Sequence, residues 1–455
     1  MRALFAAIAA FVLASVMPAL ASAQTLIRDT EIELMLREYA DPLLVAAGLQ
    51  PSDVRLYIIN DPDINAFVTG GQNIFFHTGT ILEAETPNML KGVLAHEIGH
   101  ISGAHLARMG DSQRAAMVPA FVSIGLGVLA AVAGEPGAAG ALLASSQQFA
   151  MLSFLSYNRT QESSADQAGL QYLEATGQSG NGLVEFFERF AYQEAFSPAS
   201  RFPYFRSHPL STERVTALRE RVENSQYADA ADSPEDVAHL RRLQGKIYGF
   251  LARPQAVFMR YPPENRSLEA RYARSVAYYQ NAQLPQARAE LDTLIEEEPD
   301  NPFFYELYGQ MLFESGHAEE AIAFHQRSVD LLPSAPLLRV NLAMAMIATE
   351  NPDVLAPARE HLNVALDIEP DNSFAWYQIS IVHERSGETA LAQLAIAEQA
   401  YAIGDRGRAF QFAQRAQPEL QAGSPSWYRA SELIAVARPS EAEMREMRRE
   451  QRRRQ

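Results

Sequence analysis

The chain has 455 residues, a formal net charge of −17 and no cysteine. That length suits two or three domains, and the acidity argues against nucleic acid as a general partner. The missing cysteine excludes disulfides, thiolate metal sites and cysteine nucleophiles.

The N-terminus reads as a targeting segment. Met1-Arg2 is a short positive start, Ala3 to Leu20 is uncharged and mostly apolar, and Ala21-Ser22-Ala23 is an A-x-A cleavage signal followed by Gln24. This predicts a signal peptide over residues 1–23 and export of the mature chain. The apolar core is short for a retained span.

Helical spacing of Ile32, Leu34, Met35, Tyr39, Leu43 and Leu44 predicts a helix from Asp29 to about Ala47. Alternation predicts a strand over Asp53–Asn60, and shorter strands at Asn65–Val68 and Asn73–His77, the last two separated by the turn signal Gly70-Gly71. The expectation is a small antiparallel sheet. Its strand Asn73–His77 could be an exposed edge to which a peptide adds.

The next helix, Glu83–Gly103, carries His96-Glu97-Ile98-Gly99-His100. Histidines four apart share one helical face, and two imidazoles one turn apart can reach a single zinc ion. Glu97 sits about 100° round the helix, beside such an ion, where a carboxylate can take a proton from water. Gly92, Ala95, Gly99 and Gly103 are small positions suited to close packing in an interior otherwise weak as helix.

Between Ala115 and Arg159 the only charge is Glu135. The run is broken by Pro119, Pro136 and a Ser-Gln stretch, so residues 115–158 read as a buried or interfacial helical segment, with membrane-surface contact as an expectation, more than as a true span.

A catalytic zinc needs a third protein ligand, and three residues compete. His105 follows His100 by five, which on a continuous helix points it to the wrong face; it reads as a surface or supporting histidine. Glu162 and Asp166 lie one turn apart on a helix expected over Leu152–Thr176. Glu162 could bind the metal while Asp166 accepts a hydrogen bond from a ligating histidine. His208, in the loop Arg206-Ser207-His208-Pro209, could stabilise an oxyanion or occupy the open metal position. The bottom-up chemistry is peptide hydrolysis, with Glu97 as general base and then acid.

Helices are expected from Thr212 to about Glu223, capped by Ser211, and from Ser233-Pro234 to about Arg253. Beyond a linker at 254–267 the pattern becomes periodic. Pro299, Pro333 and Pro370 recur at intervals of 34 and 37 residues, and Ala287, Ala321, Ala358 and Ala392 mark equivalent small positions. Period, small residues and terminal proline match tetratricopeptide repeats over 268–437, with a small insertion near Glu350-Asn351-Pro352. Such units stack as a superhelix with a concave face. A charged, Arg-rich tail, 438–455, closes the chain. The fold expected is mainly α: an α+β peptidase domain over 24–253, then a helical repeat domain.

These residues carry a resemblance. His96-Glu97-x-x-His100, Glu162-x-x-x-Asp166 and Ser207-His208-Pro209 with Arg214 following resemble the HtpX-type gluzincin peptidases, as do Thr78-Gly79 before the motif helix and the Leu26-Ile27-Arg28-Asp29 opening. The C-terminal repeats are similar to those of a secreted subgroup, protease and chaperone in one chain. The resemblance implies a periplasmic zinc endopeptidase with one zinc per chain. It implies ligands His96, His100 and Glu162, and His208 as a fourth ligand that holds the enzyme inactive. It also implies protein substrates and outer-membrane protein assembly machinery as partners, reached through the repeats. A chaperone or binding module with a normally closed site is the alternative.

Overall fold

The computed structural model describes residues 26–107, 122–124, 126, 158–195, 204 and 208–438. The signal segment, the tail beyond 438 and nearly all of 115–158 lie outside the described residues. These residues form two compact units, one running through Ile32–Gln244 and one from Gly245 onward, with Asp29–Glu31 counted in the second. Among the described residues no helix is long and apolar enough to cross a membrane.

The first unit opens with β1 (Leu26–Ile27) and helix α1 (Thr30–Ala46). One face of α1 is fully buried through Met35, Leu36, Ala40, Leu43 and Leu44, as its helical spacing predicts. Strands β2 (Arg55–Ile59), β3 (Ala66–Thr69) and β4 (Asn73–His77) complete a four-stranded sheet of order β1-β2-β4-β3. The sheet is mixed and not antiparallel throughout. β3 and β4 form the expected hairpin, closed by Gly70 and Gly71 at positive φ. β2 and β4 run parallel, with Leu56 opposite Ile74 and Ile58 opposite Phe76. The chain crosses from β2 to β3 before turning back, so β4 enters the middle. Asn73–His77 is therefore an interior strand, and the edge beside it is β3.

After the short helix α2 (Thr78–Glu83) comes the motif helix α3 (Pro87–Ser102). Thr86 caps it by accepting from the Met89 N–H, and Pro87 occupies the first turn. The helix is buried nearly all round because helices pack on two of its sides. These are α4 (158–175) and α5 (Asn181–Ala195). Gly99 is required by the first contact: a Cβ there would lie 2.6 Å from the Ala165 carbonyl oxygen. Gly92 serves the second, where a Cβ would meet Leu183 N at 2.8 Å. Close approach is the packing reason for glycine inside this helix. Helices α6 (Thr212–Glu223) and α7 (Pro234–Leu251) follow.

The second unit is a run of antiparallel helix pairs: Leu268–Gln280 with Leu284–Glu297, Pro302–Glu314 with Ala318–Leu331, Pro336–Ala348 with Leu355–Ile368, Ser373–Arg385 with Thr389–Ala402, and Arg406–Ala416 with Pro425–Val436. Ala287, Ala321 and Ala358 have no exposure and Ala392 only 3%. Small side chains at these points let paired helices approach closely. The irregular interval falls where Glu350 takes a positive φ and Pro352–Val354 form a short 3-10 turn.

Candidate metal centre

Three helices and one loop bring the site together. Helix α3 presents His96, Glu97 and His100, α4 presents Glu162 and Asp166, α6 presents Arg214, and His208 lies just before α6. His96 and Glu97 have no exposure, Glu162 has 2% and His208 6%. Four donor groups, from His96, His100, Glu162 and His208, lie within 4.8 Å of one another.

The separations are those of ligand atoms round a small cation. His100 Nε2 is 3.1 Å from His96 Nε2, which is 3.2 Å from His208 Nδ1. Glu162 Oε2 is 3.2 Å from His208 Nδ1 and 3.5 Å from His96 Nε2, and Glu162 Oε1 is 3.5 Å from His100 Nε2. Donors about 2.0–2.1 Å from a tetrahedral zinc stand roughly 3.3–3.4 Å apart. The donor set, three imidazoles and a carboxylate, also suits zinc.

The supports differ from ligand to ligand. His96 Nδ1 is 2.9 Å from Asp166 Oδ1. Asp166 is gripped in turn by Arg214, whose Nε and Nη2 donate to its two oxygens at 2.7 and 2.8 Å. Arg214 Nη1 also reaches Glu162 Oε2 at 3.2 Å and donates to the Pro209 carbonyl at 2.6 Å. One buried guanidinium thus ties α4 to the His208 loop. Arg214 carries no assigned role in the sequence reading, because its position against Asp166 depends on a contact 48 residues apart.

The electrostatics follow. Burial opposes charge on Asp166, but hydrogen bonds to His96 and Arg214 hold its carboxyl below the usual range. Burial likewise opposes charge on Glu162, yet the facing imidazoles of His208 and His96 hold it well below. Burial opposes charge on His96, yet the Asp166 and Glu162 carboxylates, 2.9 and 3.5 Å from its ring nitrogens, outweigh it and raise its pKa. His100 is lowered, first by burial and then by the charge of His96.

Glu97 stands apart. Its carboxylate makes no hydrogen bond among the described residues, and His208 Nε2 is 3.5 Å from its Oε1. Burial pushes its pKa up. A buried carboxylate that makes no hydrogen bond, beside a cluster of metal-type ligands, is suited to accept a proton from water or substrate.

Two features escaped the sequence reading. Tyr204, fully buried, stacks on His208 with ring centroids 4.7 Å apart, and its carbonyl accepts from the His208 N–H at 2.7 Å. Phe187 meets His96 edge to face at 5.8 Å. Aromatic residues are common enough that only the fold distinguishes these from ordinary core. His105 is the other departure. Helix α3 stops at Ser102, so the continuous-helix argument fails, and His105 Nδ1 sits 3.0 Å from His100 Nδ1.

Residues 27–222 match the model of peptidase family M48. Over that stretch the chain is similar to a family of metallopeptidases. It is 28% identical to the β-barrel assembly-enhancing protease of Escherichia coli K12 over 413 residues, covering 88% of this chain and 81% of the relative. The protein of the same description from Yersinia pestis is 26% identical, over 72% of this chain and 68% of its own length. The metalloprotease YcaL of Escherichia coli K12 is 30% identical over 38% of this chain and 63% of its own. YcaL aligns with 176 residues only, whereas the first two relatives extend the likeness well beyond the M48 match. These likenesses support a metalloendopeptidase.

Proposed function

We propose that the chain is an exported zinc endopeptidase acting on protein substrates during outer-membrane β-barrel protein assembly and quality control. The observation that carries the chemistry is the convergence of His96, His100 and Glu162 beside the hydrogen-bond-free carboxylate of Glu97. These three residues would hold the ion. A zinc ion there would serve as a Lewis acid towards the scissile carbonyl and towards water. Glu97 takes the proton from the attacking water and delivers it to the leaving amine. Asp166, anchored by Arg214, keeps the remote nitrogen of His96 occupied and its ring oriented.

His208 supports the view that the site is closed at rest. A catalytic zinc keeps one open position, and the Nδ1 of His208 stands where a fourth ligand would. Tyr204 stacking and the Arg214–Pro209 hydrogen bond hold that loop in place. Cleavage then requires His208 to leave, when a partner shifts the loop. The names of the two long relatives support the assembly role, and the A-x-A signal supports export to the periplasm. Period, proline spacing and buried alanines support reading the second unit as tetratricopeptide repeats that bind partners. A chaperone with a rarely used peptidase site is the second reading, favoured by His208 and disfavoured by the intact Glu97.

The test is Glu97→Gln, which removes the base and no ligand. Cleavage of an unfolded protein substrate should fall roughly 10²–10⁴-fold with metal content unchanged. Cleavage at the wild-type rate would place the chemistry elsewhere.

A further inference from the structure

We infer that His105 is the positioning residue of His100, and that Gly103 is glycine so that the ring of His105 can lie there; this rests on His100 being a metal ligand. The local chain is shaped for the contact. Gly103 ends α3 at φ −71 and ψ −6. Ala104 takes φ 51, a left-handed conformation uncommon for a residue with a Cβ. The chain thereby doubles back, and the His105 N–H donates to the His100 carbonyl at 3.1 Å. The two rings meet edge to face with centroids 5.0 Å apart, and their Nδ1 atoms are 3.0 Å apart. His105 is only 8% exposed.

The proton between these nitrogens can be assigned. His100 Nε2 faces His96 and Glu162, so its lone pair is the one directed at the ion. Its Nδ1 then carries the hydrogen and donates to the lone pair of His105 Nδ1. An acceptor on the remote nitrogen fixes both tautomer and ring angle of a ligating histidine. Asp166 does this for His96, and His105 does it for His100. Gly103 closes the argument. A Cβ there would lie 2.4 Å from His105 Nε2 and 2.9 Å from its Cδ2 and Cε1. The backbone at Gly103 suits any residue, so the first thing a Cβ meets in Gly103→Ala is the His105 ring.

The experiment measures zinc affinity of the purified full chain by competition with a chromophoric chelator, with circular dichroism of the metal-free protein alongside. His105→Ala and Gly103→Ala should each weaken zinc binding roughly 10–100-fold while the metal-free helical signal stays at the wild-type level. The double variant should lose no more than the worse single. His105→Asn, whose side-chain oxygen falls near the position of Nδ1, should recover most of the affinity. Affinity unchanged in His105→Ala, or lost in His105→Ala but kept in Gly103→Ala, would overturn the assignment. His100→Ala is the reference: if that variant binds zinc as the wild type does, the ligand set itself is wrong, a different failure from that of His105.

Discussion

Each unit of the molecule buries a charged cluster, and the two are closed in opposite ways. In the second unit Arg274, 1% exposed, donates to Glu290 at 2.7 Å and to the carbonyls of Pro262 and Asn265 at 3.0 and 2.7 Å. Donors there meet acceptors, and the cluster is complete within the fold. In the first unit His96, His100, Glu162 and His208 turn acceptor atoms toward one point, while the Glu97 carboxylate makes no hydrogen bond among the described residues. A buried polar cluster that only holds a fold pairs its charges internally. One that performs chemistry keeps capacity for a cation and a proton.

The contrast can be tested by substitution and by pH. The largest effect is kinetic. His208→Ala should raise cleavage of flexible substrates if His208 closes the site, whereas a loss of roughly 10²–10³ in kcat would make it an oxyanion donor and the resting site open. Next is Arg214→Ala, which leaves the buried Asp166 and Glu162 carboxylates without their cation. Denaturant unfolding should show the first unit destabilised by about 3–5 kcal/mol and the second unchanged. An equal loss in both units would mean that they do not unfold separately.

The third experiment uses pH against the second unit. His325 is buried against Gly309, where a Cβ would lie 2.7 Å from its ring. Burial pushes its pKa down to about 4. The unfolded chain, with histidine near 6.5, binds the proton first. Stability should therefore be full above about pH 6.5, fall as pH drops towards 4 and level off below, a loss of about 3 kcal/mol. His325→Leu should flatten that part of the profile in urea titrations. The smallest effect belongs to the surface: Arg327 and Asp300 pair at 3.2 Å while well exposed, and Arg327→Ala should change unfolding by less than about 1 kcal/mol.

Much of this was legible from local spacing. A four-residue interval places His96 and His100 together and likewise Glu162 and Asp166, because helical geometry does not depend on the rest of the fold. The buried alanines and the irregular interval near Glu350 could be read for the same reason. The parallel pairing of β2 with β4 could not, since strand order depends on where the chain crosses over. The face assigned to His105 assumed a continuous helix; Gly103 is a common stop signal, but the left-handed turn at Ala104 that brings His105 back to His100 has no residue signal. Arg214, Tyr204 and Phe187 reach the site through contacts that only the folded chain creates.

The central claim is that His96, His100 and Glu162 hold one zinc ion for which Glu97 is the base and not a ligand. Metal content of the purified chain by elemental analysis tests this most directly, with Glu162→Ala and Glu97→Gln measured beside the wild type. The account predicts about one zinc per chain in the wild type and in Glu97→Gln, and a sharp loss in Glu162→Ala. Full occupancy in Glu162→Ala, or its loss in Glu97→Gln, would contradict it.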